Sequence, residues 1–127
     1  MQHPRILVAD DEPFILRSLA YVLRREGFQV LEARDGVEAL DVARREKPDL
    51  VFLDLMMPRK SGFDVLAEIK AEPGLGHCRV ILLTGKGQDS DREHGFKLGC
   101  DDYLTKPFSP IRLVERARAL LGAAARR

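Results

Sequence analysis

The chain has 127 residues, which suits a single domain and is long enough to bury a core. Apolar residues make up 45% of the sequence and charged residues 32%, and 21 basic against 20 acidic residues leave a net charge of +1. This ordinary globular composition gives no sign of direct nucleic-acid binding, of attachment to a membrane surface or of an acidic substrate.

No apolar stretch approaches the length of a membrane-spanning helix, and the N-terminus lacks the charged and apolar regions of a secretory signal. The two cysteines, Cys78 and Cys100, do not have metal-binding spacing, so we expect reduced thiols. These features predict a cytoplasmic protein without membrane contact.

Short apolar runs alternate along the chain with longer segments of helical period. The predicted strands cover residues 5–9, 28–33, 50–53, 80–83 and 102–104. Because these runs are apolar throughout, they suit a parallel sheet that is covered on both faces.

Helices are predicted between and after these strands. Four apolar stripes mark them: Phe14, Leu19, Val22 and Leu23; Val37, Leu40 and Ala43; Val65, Leu66 and Ile69; Leu113, Ala117 and Leu120. The first should end near Gly27, and the last should begin with Ser109 as N-cap and Pro110 at its first position.

Residues 88–98 are mostly polar, with Phe96 and Leu98 as the clear apolar anchors, so we expect a weakly docked helix there. The β-α unit is therefore repeated five times. This pattern predicts one α/β domain with a doubly wound, five-stranded parallel sheet and five helices. For the strand order we take 2-1-3-4-5, the common flavodoxin-like order of such sheets, which the residues themselves do not determine.

Polar residues follow the predicted strands at the ends where ligands bind in such sheets. Asp10 and Asp11 follow the first strand, and Asp54 follows the third. Thr84 follows the fourth strand, and Lys106 follows the fifth. One aspartate in such a place is more often a helix cap or a turn residue, but all five positions together favour a binding site.

Three neighbouring carboxylates repel one another unless a cation lies among them, and Mg²⁺ (or Mn²⁺) suits such a site. An aspartate carboxylate is an established nucleophile toward phosphorus, and an ammonium and a hydroxyl can hold the remaining phosphoryl oxygens. The arrangement therefore indicates phosphorylation of Asp54.

Four motifs carry a resemblance to a known family. They are Val8-Ala-Asp-Asp-Glu12, Leu53-Asp-Leu-Met-Met-Pro58 with Gly62, Leu83-Thr-Gly85, and Gly99-Cys-Asp-Asp-Tyr-Leu-Thr-Lys-Pro-Phe108. With these motifs the sequence resembles a bacterial two-component response-regulator receiver domain over residues 4–121. Residues 122–127 would be a helix end, a tail or the start of a linker.

The resemblance implies a role for each matching residue. Asp54 would be the phosphoacceptor. Asp11, Asp54 and the backbone carbonyl of Met56 would ligate the metal directly, and Asp10 would hold it mainly through a metal-bound water. Lys106 and Thr84 would bind the phosphoryl group, and Thr84 and Tyr103 would form the switch. Pro58, Gly62, Gly85 and Pro107 would shape the site, with a cis bond before Pro107.

The resemblance also implies partners. A sensor histidine kinase or a histidine phosphotransfer protein would supply the phosphoryl group, and the surface of the fourth helix, fifth strand and fifth helix would change. That change would control a downstream protein or a linked effector domain. A phosphorylation-dependent homodimer is known in similar proteins, but Arg92 and Arg112 occupy the positions where those dimers pair a basic with an acidic residue, and two arginines would repel.

Two other functions fit a similar topology. A phosphohydrolase would need a second aspartate two residues after the nucleophile, where Met56 cannot transfer a proton. A flavodoxin-like FMN carrier would need a phosphate-binding loop after the first strand, where Asp10, Asp11 and Glu12 would repel phosphate. We therefore expect a non-enzymatic switch that catalyses only its own phosphoryl transfer and slow dephosphorylation.

Overall fold

A computed structural model describes residues 4–85 and 89–122 and contains one parallel sheet. Its strands are β1 (Arg5–Ala9), β2 (Gln29–Ala33), β3 (Leu50–Asp54), β4 (Arg79–Thr84) and β5 (Asp102–Thr105). They are ordered β2-β1-β3-β4-β5 and all pair in parallel. The predicted fold class and strand order are confirmed.

Five α-helices connect and follow the strands. They are α1 (Pro13–Arg25), α2 (Gly36–Glu46), α3 (Gly62–Ala71), α4 (Asp89–Lys97) and α5 (Pro110–Leu121), with one 3₁₀ turn, Pro73–Leu75, after α3. Side-chain oxygens of Asp35, Ser61 and Ser109 accept backbone N–H bonds in the first turns of α2, α3 and α5. These caps fix where each helix starts, as predicted for Ser109.

The sheet is covered on both faces because alternate strand residues point to opposite sides. Leu7 and Val51 belong to the core beneath α2 and α3, whereas Ile6 and Phe52 belong to the core beneath α1 and α5. All four side chains are fully buried. The strands therefore consist of apolar runs that supply two cores at once.

The predicted inner stripe of α1 is wrong at Phe14, whose side chain is 69% exposed. The buried residues of α1 are Leu16, Leu19, Ala20 and Leu23. Phe14 is two residues before Leu16, which is about 200° around the helix, so it lies on the opposite side.

Helix α4 is held less firmly than the other helices, as its polar sequence predicts. Its single buried residue is Gly95, where an added Cβ would lie 2.7 Å from Leu82 Cδ1. Phe96 is 43% exposed, so its prediction as an anchor is wrong, whereas Leu98 packs against the core. The helix backbone thus approaches the sheet at Gly95. Phe96 is the next residue, about 100° further around the helix, and therefore faces solvent in part. Gln88, which the predicted helix included, lies outside the described residues.

Within the described residues, no helix combines the length and the apolar character that crossing a membrane requires.

Candidate functional site

The predicted site residues meet at the carboxyl ends of the strands. Asp10 directly follows β1, and Lys106 directly follows β5. Asp54 and Thr84 are the last residues of β3 and β4 rather than the residues after them, and both are buried. The strand pairing brings these ends together because β1, β3, β4 and β5 are consecutive neighbours in the sheet.

Three aspartates form a compact acidic group. Carboxylate oxygens of Asp10, Asp11 and Asp54 all lie within 4.8 Å of one another. Asp10 is 1% exposed, and its Oδ1 accepts a hydrogen bond of 2.9 Å from the backbone N–H of Glu12. Asp11 is exposed, so the group opens to solvent on the side of Asp11.

Lys106 supplies the positive charge at this group. Its Nζ lies 3.1 Å from Asp10 Oδ2 and 3.5 Å from Asp54 Oδ1. Its backbone N–H donates a 2.6 Å hydrogen bond to the carbonyl of Thr84, and the peptide bond to Pro107 is cis, as predicted. The lysine is therefore tied to the end of β4 while its ammonium reaches the aspartates.

The carboxylates carry more negative charge than this lysine balances. The pKa of Asp54 is raised to about 6, chiefly by burial and also by the neighbouring Asp10 and Asp11, while Lys106 opposes the rise. Clustered carboxylate oxygens with an open side are the ligands that Mg²⁺ prefers, and a divalent ion would relieve the repulsion. The residues present therefore fit a magnesium or manganese ion.

A pocket opens beside Asp54 between α3 and α4. Its walls include Asp54, Met56, Phe63, Thr84, Asp91 and Lys106. The Met56 side chain is 80% exposed at its rim. Phe63 and Asp91 were not among the predicted site residues. Asp91 stands out in the sequence only as one of several acidic residues in a polar helix, and Phe63 only as the neighbour of Gly62.

Two glycines shape the site in different ways. A Cβ on Gly62 would lie 2.5 Å from the backbone oxygen of Asp54, so α3 can begin this close to β3 only at a glycine. A Cβ on Gly85 would meet no atom of the described residues within 4 Å.

The turn before α3 is closed by a backbone hydrogen bond. The carbonyl of Pro58 accepts this bond, of 2.8 Å, from the Lys60 N–H.

Thr84 and Tyr103 are in direct contact. The Tyr103 phenol is hydrogen-bonded to the Thr84 side chain, and its ring packs partly against the core. Burial raises the pKa of this phenol, and the bond to Thr84 opposes the rise. The two predicted switch residues therefore connect the pocket at Asp54 with β5 and the surface beside it.

The sequence matches a family model described as the response regulator receiver domain over residues 6–118. Over 117 residues it is 48% identical to the "Probable transcriptional regulatory protein TcrX" of Mycobacterium tuberculosis, covering 91% of this chain and 49% of that protein. It is 43% identical to the alkaline phosphatase synthesis transcriptional regulatory protein PhoP of Bacillus subtilis, covering 92% and 48%. The chain thus spans about half the length of these relatives.

Solved structures agree with this match. The receiver domain of the Francisella response regulator 1452 superposes with a TM-score of 0.85 and 34% identity, covering 93% of this chain and 96% of that one. A BeF3-activated DrrB receiver domain also gives a TM-score of 0.85 and 34% identity, covering 94% and 98%.

Proposed function

Because the chain belongs to the response regulator receiver domain family, we propose that it is a phosphorylation-activated switch of a two-component system, with Asp54 as the phosphoacceptor. The observation that carries this role is the position of Asp54. Its carboxylate is almost buried, opens into the pocket beside α3, and lies 3.5 Å from the Lys106 ammonium. A nucleophile and a group that balances phosphoryl charge are thus already next to each other.

In the proposed reaction, a carboxylate oxygen of Asp54 attacks the phosphorus of a phosphohistidine. The new O–P bond forms as the N–P bond to the donor imidazole breaks. Lys106 and Thr84 would hold phosphoryl oxygens. A Mg²⁺ or Mn²⁺ ion held by Asp10, Asp11, Asp54 and the Met56 carbonyl would neutralise charge on the transferring group. The Met56 side chain offers no acid or base for rapid hydrolysis, which favours a stored product over turnover.

The proposed output runs through Thr84 and Tyr103. A phosphoryl group adds up to about two negative charges and three acceptor oxygens next to Thr84. A Thr84 hydroxyl that turns toward these oxygens changes its hydrogen bond to Tyr103, and Tyr103 then moves inward. Helix α4, which buries only Gly95, follows at low cost. The α4–β5–α5 surface would therefore differ between the two states.

The partners of this switch follow from the family. A sensor histidine kinase or a histidine phosphotransfer protein would donate the phosphoryl group in the cytoplasm. The curated relatives are transcriptional regulators about twice as long as this chain, so the output would be a linked effector domain or a separate protein. Residues 4–121 would form the receiver domain, with 122–127 as a helix end, tail or linker; residues 123–127 lie outside the described part of the chain.

Intact-mass spectrometry after incubation with acetyl phosphate and Mg²⁺ tests the proposal. The wild type should gain one phosphoryl group that is lost in mild base, and Asp54→Asn should gain none. Asp41→Asn is a matched control because Asp41 is exposed on α2, far from the pocket, and it should gain the group normally. A wild-type protein that stays unmodified would contradict the proposed function.

A further inference from the structure

A groove runs along β5, the edge strand of the sheet, between α4 and α5. Its charged and polar lining is formed by Asp89, Arg92, Asp102, Tyr103, Arg112 and Arg116. Three arginines therefore converge on one short strand. This surface, called here the α4–α5 groove, includes Tyr103 and so borders the proposed switch.

The positive charge of the groove is only partly balanced. Arg116 Nε lies 3.1 Å from Asp102 Oδ2, so this pair is neutral within the chain. Arg92 and Arg112 are both exposed, and in the described part of the chain neither forms an ion pair. Among the described lining residues, Asp89 is the carboxylate left to face them, so two arginines outweigh one aspartate.

An exposed aromatic ring lies beside Arg92, outside the lining of the groove. Phe96 is 43% exposed, and the guanidinium carbon of Arg92 lies 5.9 Å from the centre of its ring. A ligand in the groove could therefore pair carboxylates with the arginines and pack an apolar group on Phe96. Exposed arginines next to an aromatic ring are a common composition at the centre of protein interfaces.

The same charges disfavour a twofold contact between two copies of this chain. In such a contact the same patch faces itself, so the unpaired arginines of one groove would approach those of the other. Like charges brought together at an interface weaken it, whereas opposite charges favour the encounter. The carboxylate of Asp102, which could serve a second copy, is already occupied by Arg116.

We propose that the α4–α5 groove binds an acidic segment of a different protein or domain, and that it does not form a symmetric dimer. This inference rests on the proposed function, because it names the chemistry of the partner that the switch controls. Arg92 and Arg112 would contact carboxylates of that segment, and Phe96, next to Arg92, would contact an apolar side chain where the segment leaves the groove.

An NMR titration of ¹⁵N-labelled protein with acetylated, amidated octaglutamate tests the proposal. Backbone shifts should concentrate in α4, β5 and α5, weaken as salt is raised, and be absent with octaserine. Arg112→Glu should weaken binding at least about tenfold. Arg17→Glu is the matched control, because Arg17 is an exposed arginine on α1, and it should bind as the wild type does.

The titration would overturn the inference if no backbone shifts appeared at the groove, or if Arg112→Glu and Arg17→Glu lost octaglutamate binding equally. Sedimentation velocity with beryllofluoride and Mg²⁺ would overturn it by showing a wild-type dimer that Arg112→Glu alters. The phosphorylation assay separates this proposal from the previous one. Protein that gains the phosphoryl group but does not bind octaglutamate keeps the proposed function and refutes the acidic partner. If the protein binds octaglutamate but gains no phosphoryl group, the proposed switch is refuted. The groove then binds acidic segments, but not as the output of a phosphorylation switch.

Discussion

The ammonium of Lys106 lies 3.5 Å from a carboxylate oxygen of Asp54, although β4 separates the strands that lead to these two residues. Lys106 reaches across the end of β4 because its backbone N–H is bonded to the carbonyl of Thr84. The ammonium is closer still to Asp10, at 3.1 Å. One lysine therefore serves two carboxyl groups, and a single positive charge faces the three aspartates of this acidic group.

Replacing Lys106 by methionine should slow phosphorylation of Asp54 by acetyl phosphate on the order of 100-fold. The variant keeps most of the side-chain volume but removes the charge that faces the incoming phosphoryl oxygens. Initial rates from intact-mass spectrometry measure the effect. Lys97→Met, which alters an exposed lysine at the end of α4, should react at the wild-type rate. Equal rates for both variants would contradict the role given to Lys106.

Asp54→Asn should stabilise the metal-free protein above pH 6. The pKa of Asp54 is raised from 3.8 to about 6 in the folded chain, so this carboxyl costs the folded state free energy that grows as the pH rises between these two values and is complete above the higher one. Below pH 3.8 the carboxyl is protonated in both states and the cost vanishes. We expect the variant to gain about 2 kcal/mol in free energy of unfolding at pH 8, and little at pH 4. Urea denaturation in EDTA measures this gain.

Added Mg²⁺ should stabilise the wild type more than Asp54→Asn, which is the reverse of the order expected without metal. Added Mg²⁺ should raise the free energy of unfolding of the wild type at pH 8, because it binds the folded carboxylate group. Asp54→Asn lacks one of the ligands and should gain less. A stabilisation by Mg²⁺ that is equal in both proteins would place the ion elsewhere.

Gly62→Ala should destabilise the protein, whereas Gly85→Ala should not. A Cβ at position 62 would lie 2.5 Å from the Asp54 carbonyl oxygen and 2.9 Å from Leu55 Cα, so the backbone must shift. We expect a loss of roughly 2 kcal/mol or more and slower phosphorylation. Chemical denaturation and the mass assay measure the two effects. The same methyl group at position 85 meets no atom of the described residues within 4 Å, so Gly85→Ala is the control for the stability measurement.

Asp101→Asn should lower stability at neutral pH through a cluster at the opposite end of the sheet. Asp101 accepts bonds from the Val80 N–H at 2.8 Å, from Lys70 at 3.1 Å and from Arg79 at 3.3 Å. Burial alone would raise the pKa of Asp101, but these donors outweigh burial and lower it. Its stabilisation is thus present above the ordinary pKa of 3.8 and is lost as the pH falls through the lowered value.

We expect Asp101→Asn to cost about 1–2 kcal/mol at pH 7, and the difference from wild type to shrink at acidic pH. Denaturation at several pH values measures this. Glu115→Gln, an exposed change on α5, should cost almost nothing. A cost that does not vary with pH would show that the charge of Asp101 is not what stabilises the fold.

The strand ends of this chain are predictable from sequence because they depend on local patterns. Apolar runs locate the strands to within a residue or two, and parallel pairing then brings Asp10, Asp54 and Lys106 to one edge. Strand order followed from a common topology rather than from the residues themselves. The resemblance supplied the roles of these side chains, which periodicity alone could not.

Contacts that depend on three-dimensional approach were not predictable. The exposure of Phe14 and Phe96 follows from their angular position on helices whose inner side is set by neighbouring residues. The presence of Asp91 and Phe63 in the pocket depends on how α3 and α4 lie against the sheet. The sequence shows the residue types at these positions but not the distances between the helices.

The burial of Gly95 as the single inner residue of α4 has a consequence for the energy landscape. Because no side chain of this helix is buried in the core, moving the helix breaks little apolar packing besides the edge-on contact of the His94 ring with Phe63. We therefore expect two positions of the helix to differ by only about a few kcal/mol, so that the minor one is sampled without phosphorylation. A charge change worth about 1.4 kcal/mol shifts such a ratio tenfold. A glycine contact thus allows a small chemical event to redistribute an existing equilibrium.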